Sequence, residues 1–464
     1  MAEYETVVRG GMVVGPDGRG VADIAIADGR IVALGEGLAA GATELDAAGK
    51  LVLPGGVDPH CHIAQISGDG VAMADDFESA TAAAAHGGTT TVISFAAQAK
   101  GGSLKAVVED YAALAEAGAR IDYAFHLIVS DARAEILDDE LPALIQDGHR
   151  SIKIFTTYPG TILDDSAVLA TLACAKRHGA YVCVHAENDA ILAHAKAALQ
   201  AEGRVAAAYH ARSHPRAAEI EAIGRMIAHS GYLGQPVMIF HVSTAEGAGL
   251  IRAAKAAGVP VRGETCPHYL VFTKDDLDRP GNEGAKFVCS PPFRLEADQQ
   301  ALWQALAQGD LEVVSSDHAP FSFDACGKLV HGDAPAFYDT PNGMPGLQWR
   351  LPLMLDAALQ GGRLTLEQVV RLCCTAPAEI YGLAGKGRLA VGRDADLVVW
   401  ESGLELRLSD AMVQDRTGYC PYAGRSLSCW PGLVMSRGAV IVDQGRLSAA
   451  PGRGRWLARS NRVC

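Results

Sequence analysis

Ser151-Ile-Lys-Ile-Phe-Thr-Thr-Tyr158 is a run of apolar and β-branched residues with one lysine in its middle. That composition reads as a short β-strand. A lysine buried in such a strand is costly unless it is paired, neutralised or chemically modified. The ordinary alternative is a strand-edge lysine that lays its stem on apolar surface and keeps its head in water. The surrounding chain decides between the two, because histidines and an aspartate recur at the ends of similar strands on either side.

Working outward, short apolar strands alternate with Ala-rich helical stretches. The strands are expected at Gly56–Ile63, Thr89–Phe95, Tyr123–Val129, Ser151–Tyr158, Tyr181–His185, Pro236–Val242, Val259–Cys266 and Glu312–Asp317. Helices are expected between them, among them Phe77–His86, Leu104–Ala117, Ser166–Arg177, Ala217–His229 and Ala245–Ala256. Eight strands with helical connections predict an α/β chain whose residues 54–387 form a (β/α)8 TIM barrel. A doubly wound open sheet is the alternative. The barrel is preferred because polar residues end many strands instead of gathering at one switch point.

The flanks differ. Residues 1–53 read as β: Thr6–Val14, Asp23–Ala27 and Arg30–Leu34 are separated by Gly-rich turns, and Leu45–Leu53 continues the pattern. Helices at Thr365–Cys373 and Ala376–Tyr381 precede a return to β at Arg388–Trp400, Leu433–Met435 and Ala439–Val442. The simplest packing joins 1–53 and 388–450 into one small β-sandwich domain built from both chain ends. Residues 451–464, with Gly452-Arg-Gly-Arg-Trp456, read as a C-terminal tail or arm.

With 464 residues, 49% hydrophobic and 20% charged, the chain has ordinary globular composition. A net charge of −14 argues against nucleic acid and anionic membrane as partners. The N-terminus lacks a basic segment followed by an apolar one, and no apolar run is long enough to span a bilayer. The 11 cysteines are scattered without a CxxC pair, so reduced thiols in a cytoplasmic protein are expected.

Val57-Asp-Pro-His60-Cys-His62 ends the first barrel strand. Side chains at i and i+2 of a strand share a face, so both imidazoles enter the barrel mouth. His185 ends the fifth strand and His241 the sixth. Each alone is an ordinary core histidine; together the four supply enough nitrogen ligands for more than one divalent ion. Asp317, ending the eighth strand, can ligate a metal and accept a proton from water. Two cations beside Lys153 would repel its charge. A carbamate formed with CO2 would turn the amine into an anionic ligand able to bridge two metals about 3.5–4 Å apart.

The order His-x-His, Lys, His, His, Asp at the ends of strands one, four, five, six and eight resembles the amidohydrolase superfamily. Within it the chain is similar to the dihydropyrimidinase and hydantoinase family of cyclic amidases over nearly its whole length. The matching pieces are Pro54-Gly-Gly-Val-Asp-Pro-His, Gly87-Gly-Thr-Thr, His185-Ala-Glu-Asn, Glu264-Thr-Cys-Pro-His-Tyr-Leu, Cys289-Ser-Pro-Pro-Phe-Arg and Pro341-Asn-Gly.

The resemblance implies two Zn2+ ions bridged by N6-carboxylated Lys153, with His60, His62, His185, His241 and Asp317 as the other ligands. It implies hydrolysis of a dihydropyrimidine or hydantoin ring to an N-carbamoyl amino acid by a hydroxide bridging the metals. Asp317 would carry the proton to the leaving nitrogen. By position, Tyr158 matches the tyrosine that hydrogen-bonds the oxyanion. Ser290 and Asn342 match positions whose main chain grips the ring amide. Phe155 and Ile162 are expected as walls of the substituent pocket, although plain core packing suits Phe155 equally. The resemblance also implies a homotetramer, with the tail as a segment that reaches a neighbour.

Two departures stand out. After the second histidine, relatives carry a leucine followed by a proline and an aromatic residue. Here the stretch is Ile63-Ala-Gln-Ile-Ser-Gly-Asp-Gly70. Gln348 stands where relatives commonly have glutamate. Dihydroorotases place an arginine two positions after the second histidine; Ala64 fills that position here, which favours an uncharged ring. An allantoinase or a cyclic imidase would share the same metal site. A non-catalytic scaffold like the dihydropyrimidinase-related signalling proteins would lack the ligands that this chain retains.

Overall fold

A computed structural model describes residues 2–459. Eight parallel strands follow one another in chain order: Gly56–Asp58, Thr89–Ala97, Asp122–Ile128, Ser151–Phe155, Tyr181–His185, Val237–Ile239, Val261–Thr265 and Val313–Val314. They are apolar almost throughout, as strands covered on both faces must be. In the second strand every residue but Ala97 is buried. The hydrogen-bonded path runs from the first strand to the eighth. Just past their ends, Cys61 and His318 form a parallel bridge, and His62 N donates to His318 O at 2.7 Å, closing the ring. This is the TIM-barrel architecture.

Local chemistry fixes the helix ends. Asp76 accepts from Ser79 N to cap Phe77–His86, and Asp164 accepts from Ala167 N to cap Asp165–His178. The second of these helices stops at Gly179, whose φ of 73° is a left-handed conformation that a glycine adopts without steric cost. Helices Asp189–Ala201, Glu296–Gln308 and Arg350–Gly361 complete the shell beyond those read from the sequence.

Strands from both chain ends join in a separate, mostly antiparallel sheet of nine strands. The joint is Leu51–Pro54 against Leu397–Trp400. Eight of its strands form one hydrogen-bonded path and Gly41–Asp46 pairs with Tyr4–Val14 off that path, around an apolar core with Val8, Ile24, Ile26, Val52, Leu397, Val399 and Met435 among its members.

Three details differ from expectation. Arg388–Asp396 is irregular, and the strand starts only at Leu397; Gly392, at φ 85°, and hydrogen bonds to Ile31 and Gly29 hold this stretch as a loop. The first, sixth and eighth barrel strands are shorter than expected, at three, three and two residues. The tail, as far as Arg459, packs on its own barrel. Tyr123 N donates to Arg455 O, Leu457 N donates to Tyr123 O, and Arg459 is buried with its guanidinium on Ser151 Oγ and Phe125 O. This part of the tail therefore docks beside the third and fourth strands of its own chain. Residues 460–464 of the expected tail lie outside the described residues.

One buried cation ties the two parts together. Lys386 Nζ lies 2.6 Å from Asp122 on the barrel, and 3.0 and 2.9 Å from Asp394 and Asp396, which lead into the sheet. Removing one partner of a buried ion cluster strands the remaining charges. Lys386→Met is therefore expected to lower stability by about 3–5 kcal/mol, read from the denaturant midpoint of unfolding.

Candidate metal centre

The barrel strands deliver their last residues to one mouth. His60 and His62 leave the first strand, Lys153 lies in the fourth, His185 ends the fifth, His241 follows the sixth and Asp317 the eighth. Among the described residues, ligand atoms of His60, His241 and Asp317 all lie within 4.8 Å of one another. Asp317 Oδ1 is 3.0 Å from His60 Nε2 and 3.6 Å from His62 Nε2. The His185 ring meets the His241 ring edge-on at 4.5 Å.

Backbone conformation marks the same place. His241, Asp317 and Tyr158 have φ of 39°, 44° and 72°, and Ala64 has 51°. Positive φ in a residue with a side chain is strained, and such strain collects at functional sites.

The electrostatics are those of a cation site. Burial opposes the Asp317 carboxylate, but His60, His62 and His241 outweigh it and hold its pKa well below the usual range. Burial also opposes a charged His60; Asp317 and Glu264 outweigh that and hold it up. His241 is driven well down by burial and by His185 and Lys153, and its Nδ1 has no hydrogen-bond partner among the described residues. Lys153 Nζ faces the rings of Phe240, Phe155 and Phe95 at 4.1, 4.9 and 5.8 Å. Burial lowers its pKa to about 8, against the pull of Asp317. An orphaned imidazole nitrogen, an anionic carboxylate and several neutral imidazoles form a donor set that suits divalent metal.

Two imidazoles are held from behind by carboxylates. His60 Nδ1 lies 2.7 Å from Glu264 and His185 Nε2 lies 2.8 Å from Glu187. Glu187 also meets His214 Nδ1 at 2.9 Å. These acids fix the orientation of the two rings and had no role in the sequence reading. Glu264 lies next to the end of the seventh strand, where its register position was the available signal.

The other candidates surround this cluster. Tyr158 sits edge-on to His185 at 5.1 Å, and burial, then Glu187, pushes its phenol well up, so it remains a donor. Phe155 stacks on His185 at 5.7 Å and forms a bridge with Ile162; both are partly exposed. Ser290 Oγ donates to Asn342 Oδ1 at 3.1 Å, which brings those two loops together. Gln348 lies away from the cluster. Its amide pairs with Met412 O and Gln414 N, which fastens that loop to the barrel.

A family model described as the amidohydrolase family matches residues 51–441. The chain belongs to the amidohydrolase family. The D-hydantoinase of Ralstonia pickettii is 38% identical over 457 residues, covering 98% of this amidohydrolase and 99% of that relative. The D-hydantoinase of Streptomyces coelicolor is also 38% identical, over 463 residues and 98% of each chain. Among solved structures, the dihydropyrimidinase from Brevibacillus agri superposes with a TM-score of 0.95 at 37% identity, covering 98% of this chain and 99% of that one.

Behind the Ser290 and Asn342 loops lies a further residue absent from the sequence reading, Lys328. It is fully buried, and its Nζ donates to Val288 O at 2.7 Å and to Pro341 O at 2.6 Å. Burial lowers its pKa to about 7. A neutral amine has two N–H groups, which match the two carbonyls. Between about 7 and the unfolded value of 10.5 the unfolded chain holds more protons at this site than the folded one. Stability from Lys328 therefore rises with pH across that window. Lys328→Met is expected to flatten the rise by about 1 kcal/mol per pH unit, checked by denaturant unfolding at a series of pH values.

Proposed function

We propose that this cyclic amidohydrolase opens the ring of a dihydropyrimidine or hydantoin to give an N-carbamoyl amino acid. The observation that carries the reading is the convergence of His60, His241 and Asp317 within 4.8 Å at the barrel mouth. The names of the relatives, D-hydantoinase and dihydropyrimidinase, support the ring class.

In this reading His60, His62, His185, His241, Asp317 and Lys153, carboxylated at Nζ, would hold two zinc ions. The low pKa of Lys153 favours the neutral amine that reacts with CO2. When bound, divalent ions supply Lewis acidity that acidifies water and polarises a ring carbonyl.

The chain's own groups do the rest. Main-chain groups at Ser290 and Asn342 hold the ring amide, and Phe155 and Ile162 border its substituent. Asp317, an anion, takes the proton of the attacking water. The water oxygen bonds to the ring carbonyl carbon, and Tyr158 donates to the oxyanion that forms. The ring C–N bond then breaks, and Asp317 returns the proton to the departing nitrogen. Ala64, in place of a cation, fits an uncharged ring. A homotetramer in the cytoplasm is the assembly and compartment of this reading; the free cysteines, nine of the ten among the described residues being buried, accord with a reducing compartment.

The test is hydrolysis by zinc-loaded protein of dihydrouracil, hydantoin, both enantiomers of a 5-aryl hydantoin, allantoin and succinimide. Dihydrouracil or a hydantoin is expected to turn over, and chelation to abolish that turnover until metal is returned. Turnover of allantoin or succinimide alone overturns the ring assignment. Full activity in verified metal-free protein overturns the mechanism. Tyr158→Phe is expected to lower kcat by about 10²–10³-fold, the usual loss for one oxyanion donor, with metal content unchanged by elemental analysis.

A further inference from the structure

The stretch after His62 departs from the relatives, and the proposed reaction leaves its Gln65 without a task. The structure gives that side chain two defined contacts. Its Nε2 donates to Phe95 O at 2.5 Å, and its Oε1 lies 2.7 Å from His62 Nδ1. A carbonyl oxygen only accepts, so the amide nitrogen must face Phe95. The amide oxygen then faces the imidazole. It too only accepts, so His62 Nδ1 must carry the proton. The lone pair is thereby left on Nε2, the nitrogen facing Asp317 at 3.6 Å.

The backbone is shaped to deliver this amide. Ala64, at φ 51°, turns the chain, and its N–H is anchored on Asp75 O. Gln65 O accepts from Met73 N at the base of a small hairpin in which Ile66 pairs with Ala72. The His62 ring is stacked on Phe95 at 4.5 Å, so the same aromatic residue supports the imidazole by its ring and the amide by its carbonyl.

We infer that Gln65 is a positioning residue for the metal centre, one that fixes both the tautomer and the rotation of His62 so that Nε2 is presented as ligand. The inference rests on the proposed reading of His62 as a metal ligand. Its neutral amide sets His62 apart from His60 and His185, which are backed by the carboxylates of Glu264 and Glu187. Partners of this kind raise metal affinity about 10–100-fold. Gln65 also joins the ligand to the hairpin at the barrel mouth.

The test is competition for zinc between the full-length protein and a chromophoric chelator, with the cobalt-substituted spectrum as a second readout. Gln65→Met keeps the reach of the side chain and removes the amide. It is expected to weaken zinc binding by about 10–100-fold and to shift the cobalt bands. His62→Ala is the control and is expected to lose more. Wild-type affinity and spectrum in Gln65→Met, with loss in His62→Ala, overturn the role of Gln65 and leave the metal reading standing. Unchanged binding in His62→Ala overturns the metal reading itself. Should Gln65→Met fail to fold, wild-type protein decides. A low-field imidazole N–H resonance in metal-free protein, assigned by its loss in His62→Ala, is expected from a bonded Nδ1–H. Its absence overturns the inference.

Discussion

The site depends on how the barrel closes. The first and eighth strands are three and two residues long, too short to form a ladder between them. The seam is made just beyond their ends, where Cys61 bridges His318 and His62 N bonds His318 O. Asp58 reinforces it from inside: one carboxylate oxygen accepts from His60 N and Ser316 N, and the other lies 3.2 Å from the buried Arg350 guanidinium. The contacts that close the fold therefore also set the separation between the His-x-His pair and Asp317. A side chain that loosened the seam would move the His-x-His pair and Asp317 apart.

The geometry around that seam is prepared for charge that the chain itself does not supply. Neutral imidazoles and an anionic carboxylate converge. Carboxylates at Glu264 and Glu187 and an amide at Gln65 hold three of the rings from behind. Left-handed backbone at His241 and Asp317 aims side chains that ordinary strand ends would direct elsewhere. Such strain persists because the packed barrel around it, with nearly every strand residue buried, leaves no room for relaxation.

Much of this was legible in the sequence because the barrel repeats one local device. An apolar run followed by a polar residue marks a strand end, so His60, His62, His185, His241 and Asp317 could be placed by pattern alone. The partners of those residues were harder to see. Glu264 lies 204 positions from His60, and Lys328 lies 40 positions from Val288, so no local periodicity joins them. The stretch that holds Gln65 was visible as a departure, but the contacts of Gln65 depend on Phe95 arriving from the next strand. Arg388–Asp396 misled because its alternation resembles a strand, while Gly392 and contacts to the N-terminal turn hold it as a loop. The tail looked like a free arm because nothing in Gly452–Trp456 announces a complementary groove beside Tyr123.

The sheet assembled from both ends has a consequence for synthesis. Lys50 pairs with Glu401 across 351 positions, and Leu51–Pro54 finds its antiparallel neighbour only in Leu397–Trp400. At about 5–20 residues per second the ribosome needs roughly 20–70 s to supply that neighbour. Throughout this interval the early strand offers an unsatisfied, apolar edge of the sort that pairs with other chains. The nascent polypeptide can fold its barrel units as they emerge, but the half-sheet must wait for the end of the message. Exposure of that edge during translation is therefore built into the architecture.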